Sequence, residues 1–207
     1  MNRTRTIKIS ANFKTIIENS GFITLAITFI VAFLIGCIFV FKNNNLEEFI
    51  SSEFKTFYDI RKMGKFGTKF TNSALFILPC ALLSFVCGTS VVGCALSPIF
   101  LVYKSFIFGA YTGYIYEVYE LEGIIFNALI FIPSAVVSIF ALVLSVRESV
   151  NFSVILARLC IVGKKGNILS LDFKNYCYKH LVILFLVIFA IILDLGCSAL
   201  FIKFFKF

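Results

Sequence analysis

The chain has 207 residues, of which 60% are hydrophobic and only 14% are charged. A soluble domain carries about 25% charged residues, so this chain has too few charges to cover a surface in water. The composition therefore excludes an ordinary soluble fold and predicts an all-α integral membrane protein, a bundle of about five transmembrane helices. The net charge of +8 lies mainly beside apolar stretches, which favours contact with anionic membrane lipid and not with nucleic acid.

The chain begins with a polar, basic segment over residues 1–20, which we predict to lie in the cytoplasm. Residues 21–41 contain no charge. A helix of this length is about 30 Å long, which matches the hydrocarbon core of a bilayer. The stretch is too long for the apolar part of a cleavable signal peptide. We therefore predict a retained first span, which opens a single bundle domain over residues 21–207.

Residues 42–69 form the longest polar stretch and carry charges of both signs. Apolar residues recur in this stretch with helical spacing, at Leu46, Phe49, Ile50, Phe54, Phe57 and Ile60. The pattern predicts an amphipathic helix that lies at the membrane surface or against the bundle. Within this helix, Phe49, Phe54 and Phe57 are the residues that we predict to dock a partner protein.

Residues 70–116 carry a single charge, Lys104. This stretch is about twice as long as one span, so the chain must turn within it. Residues that break helices cluster near its middle, namely Gly88, Ser90, Gly93, Ser97 and Pro98. We therefore predict a second span over residues 72–92 and a third span over residues 98–116.

Two further apolar runs predict the remaining spans. Residues 123–146 form the fourth span, and Pro133 in its middle removes a backbone hydrogen bond, which predicts a kink. Residues 147–180 form a basic connector, part of which we expect to lie on the membrane. Residues 181–202 form the fifth span, which is interrupted by Asp194.

The distribution of lysine and arginine predicts how the bundle is oriented, because cytoplasmic segments are enriched in these residues. With five spans, the basic segments 1–20 and 147–180 share one side, which we predict to be the cytoplasm. The C-terminus, the stretch 42–69 and the acidic turn 117–122 then lie outside. An even number of spans would place the C-terminus inside. The predicted location is a bacterial inner membrane, crossed several times.

No constellation of catalytic residues is evident in the sequence. The single histidine, His180, lies at a predicted membrane edge, where a structural role is expected. The zinc-protease, P-loop and nucleophile-elbow motifs are all missing. The seven cysteines form no C-x-x-C pair, so they predict free thiols and not a metal site. We therefore predict no enzymatic activity, no cofactor and no metal.

Two charged residues lie within predicted spans, where an isolated charge is costly. Lys104 is near one end of its span, so its long side chain can reach the surface as an anchor. Asp194 lies deeper, and we expect it to accept hydrogen bonds from a neighbouring helix or to meet a partner protein. A direct pair between Lys104 and Asp194 is the less favoured alternative, because their predicted depths differ by roughly 10 Å.

The third span carries a stripe of small residues, Ser105, Gly109 and Gly113, at every fourth position. Small residues let two helix backbones approach closely in lipid. The stripe predicts helix packing within this bundle or, as the alternative, a docking face for a second protein. A second copy of the chain is one candidate for that partner.

The run from residue 82 to residue 113, LLSFVCGTSVVGCALSPIFLVYKSFIFGAYTG, resembles the stage II sporulation protein M family. That family has a G-x-S-x-x-G turn after its second span and a lysine that opens a G-x-x-x-G helix. The matching residues here are Gly88, Ser90, Gly93, Lys104, Ser105, Phe106, Gly109 and Gly113. Many wider relatives carry a proline–histidine–glycine motif in the fourth span. Here Ser134 and Ala135 follow Pro133, so no proton or metal chemistry is carried over.

The resemblance implies a membrane scaffold without catalytic activity. Such a scaffold serves the peptidoglycan-degrading complex that drives engulfment during sporulation. The implied partners are cell-wall hydrolases resembling stage II sporulation proteins D and P. The alternative is a membrane subunit of an ABC-type transporter, which buried Lys104 and Asp194 would also suit. An intramembrane enzyme is a third alternative, against which the missing catalytic motifs argue.

Overall fold

The computed structural model describes the backbone of residues 2–162 and 167–205, and the side chains of residues 21–43, 45–161 and 171–205. Within these ranges the fold is all-α and contains no β-strand, as predicted. The helices are α1 (Asn2–Val40), α2 (Asn44–Met63), α3 (Phe66–Gly88), α4 (Gly93–Phe126), α5 (Ile132–Val162) and α6 (Asn167–Phe201). A π-helical turn, Asn127–Phe131, precedes α5, and a 3-10 turn, Ile202–Phe204, follows α6.

Four stretches of the described chain are long and apolar enough to cross a membrane, and they agree with the predicted spans. They are Gly21–Val40, Phe66–Gly88, Gly93–Ile161 and Leu171–Phe204. The third stretch has 69 residues, which is enough for two crossings at about 20 residues each. The chain is therefore a multi-pass membrane protein.

The reversal within the third stretch occurs at Glu120, inside the predicted acidic turn. Glu120 has a φ of 43° and a ψ of −121°, which is the first central position of a type II′ turn. A Cβ on Gly123 would lie 3.0 Å from Cγ2 of Ile115, although a straight helix would separate these residues by about 12 Å. The Asn127 amide likewise donates to the Tyr116 hydroxyl at 2.8 Å. The segment after Glu120 therefore folds back on α4 and leads into α5.

The predicted break between the second and third spans is a tight turn over residues 89–92. A Cβ on Gly93 would lie 2.6 Å from the carbonyl carbon of Cys87, so only glycine fits where the chain folds back so closely. The Ser90 hydroxyl donates to the Cys87 carbonyl oxygen at 3.0 Å. The turn is shorter than predicted, because α4 begins at Gly93 and already includes Pro98.

Pro133 lies at the second position of α5, directly after the π-helical turn. Because proline has no backbone N–H, the carbonyl four residues earlier loses its helical partner. The N–H of Ile132 bonds the Asn127 carbonyl, which is a five-residue π spacing. The irregularity predicted at Pro133 is therefore a π-helical turn that begins six residues before the proline.

The predicted basic connector, residues 147–180, is mostly helical and extends α5 and α6 beyond the predicted spans. Lys179 pairs with Glu148 at 2.6 Å and joins these two helices. This connector is therefore helical over its described residues, where α5 and α6 pack together. Its residues 163–166, which include Lys164 and Lys165, lie outside the described part of the chain, as do the side chains of the basic segment 1–20.

One end of the bundle gathers α2, the Glu120 turn and the end of α6, and we call it the C-terminal face. The Tyr58 hydroxyl on α2 donates to the Phe205 carbonyl at 2.7 Å. The rings of Phe54 and Tyr119 lie 5.5 Å apart, and those of Phe126 and Phe205 lie 5.1 Å apart. Because the chain crosses the bundle five times, α1 begins at the opposite face.

Candidate functional site

The amphipathic helix α2 packs one face against the bundle. Its N-terminus is capped by the Asn43 side chain, which accepts from the Leu46 N–H at 3.3 Å. The side chains of Ile50, Phe54 and Tyr58 are buried and recur every four residues, so they lie on one side of the helix. Arg61 follows on the same side and is only 1% exposed.

The buried arginine forms an ion pair with Asp194 on α6. Nη2 of Arg61 contacts Oδ2 of Asp194, and both side chains are excluded from the surface. Ser73 on α3 completes the arrangement, because its hydroxyl accepts from Arg61 at 2.7 Å and donates to Asp194 at 2.7 Å. Burial lowers the pKa of Arg61 while the Asp194 carboxylate opposes that shift, and an arginine stays protonated in proteins.

From the sequence, Asp194 was expected to accept hydrogen bonds from a neighbouring helix or to meet a partner protein, and the Ser73 hydroxyl of α3 is such a donor. The arginine partner was missed, because Arg61 lies in a polar stretch of mixed charge and its burial depends on how α2 packs. The sequence nevertheless contains a signal that Arg61 is buried. Arg61 continues the apolar face of α2 at helical spacing from Phe54 and Tyr58, a position at which a charge requires a buried partner.

Lys104 does not pair with Asp194, which was the less favoured alternative, but it does not reach the surface as the predicted anchor either, because its side chain is directed into the bundle. Its ammonium donates to the Phe76 carbonyl oxygen of α3 and lies 3.4 Å from the centroid of the Phe76 ring. A cation over an aromatic face is stabilised by the ring quadrupole. Among the described residues no carboxylate forms an ion pair with Lys104.

A small cavity of about 40 Å³ lies between these charged groups. All six helices contribute to its wall, which is mainly aromatic and aliphatic. The polar lining residues are Arg61, Lys104, Ser134, Ser138 and Asp194. At about 10–15 Å³ for each water-sized particle, the cavity has room for about three of them.

The stripe of small residues on α4 packs against α1 of the same chain. A Cβ on Gly109 would lie 2.9 Å from the carbonyl carbon of Phe33, and one on Gly36 would lie 3.1 Å from the backbone nitrogen of Ala110. The Ser105 hydroxyl donates to the Phe29 carbonyl, and Gly113 also faces α1. The contacts of the stripe are therefore those of the first interpretation, helix packing within the bundle.

The predicted docking residues Phe49, Phe54 and Phe57 do not share one surface. Phe54 is 1% exposed and belongs to the core, and Phe57 stacks on Phe131 with ring centroids 5.0 Å apart. The prediction is therefore wrong for Phe54 and Phe57, because they lie on the face of α2 that the bundle covers. Phe49 is 54% exposed and lies on the opposite side.

A second polar cluster joins α5 to α3 and to the turn after α3 through a series of serines, which we call the serine ladder. The hydroxyls of Ser145, Ser149 and Ser153 donate to backbone carbonyls of Ala81, Ser84 and Ser90 at 3.3, 2.7 and 2.7 Å. These donors recur every four residues and therefore face one neighbouring helix. Interhelical bonds of this kind hold helices together in lipid.

His180 lies inside this ladder, where the sequence analysis expected a structural histidine at the membrane edge. Its Nε2 is 3.3 Å from the Ser145 hydroxyl and 3.5 Å from the Ser149 hydroxyl, and its Nδ1 is 3.2 Å from the Tyr176 carbonyl. A serine beside a histidine is also the arrangement of a nucleophile and its base. Here, however, both serine hydroxyls already donate to α3 carbonyls.

The other reactive side chains form no further cluster among the described residues. No three of the described histidine, cysteine, aspartate and glutamate side chains lie close enough together to hold a metal ion. All seven cysteines are free thiols, as predicted. The site with the highest density of buried charge is therefore the cavity beside Arg61, Lys104 and Asp194.

Comparison with known proteins gives no relative for this chain: no family model, no curated protein and no solved structure matches it.

Proposed function

We propose that this chain is a membrane scaffold without catalysis of its own, which presents α2 to cell-wall hydrolases during engulfment in spore formation. The observation that carries this proposal is the buried pair between Arg61 and Asp194. It attaches α2 rigidly to the bundle, so that the outer side of this helix has a fixed position.

The ion pair is suited to this task because breaking a buried pair leaves an uncompensated charge. Loss of one partner typically costs about 3–5 kcal/mol, so rotation of α2 about its axis is strongly disfavoured. The bond from Tyr58 to the Phe205 carbonyl, 2.7 Å long, adds a second attachment at the same face. A docking helix held in this way loses little conformational entropy when a partner binds.

The outer side of α2 has the composition of a protein-binding surface. Phe49 is 54% exposed and Met63 is 82% exposed, and they lie 14 residues apart on the same side of the helix. Glu53 and Asp59 are exposed between them. Apolar anchors with charged neighbours are typical of interfaces.

The partner class comes from the sequence resemblance to the stage II sporulation protein M family. It supports hydrolases resembling stage II sporulation proteins D and P as the partners. The distribution of lysine and arginine supports a cytoplasmic N-terminus in a bacterial inner membrane. The C-terminal face, with α2, would then be directed toward the peptidoglycan outside the cell.

A transporter subunit is the second candidate, and the charged cavity inside the bundle is the observation that favours it. Charged groups within a membrane commonly mark a pathway for ions or substrates. The volume of about 40 Å³ is small for any organic solute. The purified chain in liposomes, assayed for solute uptake, separates this candidate from the scaffold.

Deletion of the protein in a spore-forming host, with the hydrolases followed by fluorescence, tests the scaffold. The proposal expects failed engulfment and hydrolases that are no longer localised. A chain with Phe49→Asp and Met63→Asp should fail to restore localisation at an unchanged membrane level. The matched control, Val91→Asp with Val92→Asp, changes exposed residues of the turn between α3 and α4 and should restore it. Normal engulfment after deletion would contradict the proposal.

A further inference from the structure

The cavity between the six helices has a surplus of positive charge. Its described lining includes two cations, Arg61 and Lys104, and one carboxylate, Asp194. Asp194 is committed to Arg61 and to the Ser73 hydroxyl. Lys104 is left with a carbonyl oxygen and an aromatic ring as its partners. An uncompensated charge inside a protein surrounded by lipid is costly.

The cavity also has hydrogen-bond donors without a partner. Nη2 of Arg61 is used by Asp194 and Ser73, but Nε and Nη1 of the same guanidinium are buried and form no hydrogen bond with the described residues. The Phe57 ring covers one face of the guanidinium, 4.7 Å from Cζ. A buried N–H group without an acceptor costs about 1–3 kcal/mol, and more when it is charged.

We propose that this cavity binds one small monovalent anion of halide size, held by Arg61 and Lys104. A single negative charge would balance the surplus of one positive charge and accept from the unpartnered guanidinium nitrogens. The cavity volume of about 40 Å³ suits a monatomic ion with one or two waters. Phe29, Phe76 and Phe108 give the cavity aromatic walls, and apolar surroundings strengthen the attraction between an ion and its ligands.

The size of the cavity selects the chemical class of the ligand. A phosphate or carboxylate on a larger molecule would need space for the rest of that molecule, and organic ligands occupy pockets of about 300–1,000 Å³. The site joins α2, α4 and α6, so the bound ion would stabilise their packing. This inference does not depend on the scaffold proposal.

Chloride binding by the purified full-length chain in lipid nanodiscs tests the inference. Equilibrium dialysis with radioactive chloride should find one ion per chain. When sodium chloride replaces sodium gluconate at constant ionic strength, the midpoint of thermal unfolding should rise. At about five times the dissociation constant of chloride, the expected rise is about 2–4 °C.

Two variants distinguish the site from a general salt effect. Lys104→Met removes one cation and keeps an unbranched side chain, so it should abolish both the bound chloride and the rise in midpoint. Lys55→Met removes an exposed lysine of α2 and should leave both unchanged. Chloride binding that persists in Lys104→Met would overturn the proposal.

The wild-type chain decides the question if Lys104→Met does not fold. In the wild type, bromide should displace the bound chloride and gluconate should not, because gluconate is too large for the cavity. A wild-type chain that binds no chloride, or whose midpoint is the same in both salts, contradicts the anion site.

Discussion

Arg61 and Asp194 are 133 residues apart in the sequence, and their side chains form a buried ion pair between α2 and α6. Ser73 on α3 bonds both members of the pair. Three helices are therefore joined at one point near the C-terminal face. The charge on each residue is stabilised only while its partner is present.

Removal of one member of this pair should destabilise the bundle. Asp194→Leu should cost about 3–5 kcal/mol, because Arg61 would remain buried without a counter-charge. Asp194→Asn should cost less, because its amide oxygen still accepts from Ser73 or Arg61. The measurement is the free energy of unfolding in mixed micelles.

A double substitution provides the critical comparison for this prediction. Arg61→Met together with Asp194→Leu should recover most of the loss, because no charge is left unpaired. Lys179→Gln breaks the exposed pair with Glu148 and serves as the control, with an expected change of about 0–1 kcal/mol. A double variant whose loss equals the sum of the two single losses would show that the two residues do not interact.

Gly109 should tolerate no side chain, because α1 and α4 approach closely at this position. A Cβ would lie 2.9 Å from the Phe33 carbonyl carbon, so Gly109→Ala should cost about 1–3 kcal/mol through overpacking. Gly196 on α6 has nothing within 4 Å of an added Cβ, and Gly196→Ala should be neutral or slightly stabilising. Equal thermal midpoints in the two variants would contradict the close contact between α1 and α4.

Glu120 should be replaceable by glycine with a gain in stability. Its φ of 43° is unfavourable for a side chain, and such a conformation costs about 1–3 kcal/mol. Glu120→Gly should therefore stabilise the chain by about 1 kcal/mol, while Glu117→Gly in the helical part of α4 should destabilise it by about 0.5–1 kcal/mol. The unfolding free energies of the two variants should change in opposite directions, and a loss in both would argue against the turn.

The serine ladder distinguishes packing from catalysis. Ser149→Ala removes the bond to the Ser84 carbonyl and should cost about 0.6 kcal/mol, the mean for bonds between membrane helices. Engulfment in the native host should be preserved in this variant. Complete loss of function at a normal membrane level would instead favour an intramembrane enzyme with His180 as its base.

Cysteine labelling tests the orientation. A cysteine added after Phe207 should react with an impermeant reagent from outside the cell, and a cysteine at position 4 should not. The prediction follows from five crossings and from the basic segments on the N-terminal side. A protected C-terminus together with a reactive N-terminus would mean that the bundle has the inverse orientation.

The spans were predictable because each depends on a local property, a mainly apolar run of sufficient length. The turn beside Gly93 was also predictable from a local property, because residues that break helices cluster there. Arg61 was not predictable in this way, because its burial depends on which helix lies against α2. Phe54 and Phe57 were misassigned for the same physical reason. Periodicity identified the apolar face of α2, but it did not reveal whether lipid, a partner or the chain itself covers that face.

The separation between Arg61 and Asp194 also sets an order of events during synthesis. At about 5–20 residues per second, Asp194 is made roughly 7–27 s after Arg61. During that interval α2 has no counter-charge for its arginine, so it must remain in contact with water at the membrane surface. The second helix of the chain is therefore among the last to reach its final position. A nascent chain that terminates before α6 would leave α2 undocked, because Arg61 would have no counter-charge.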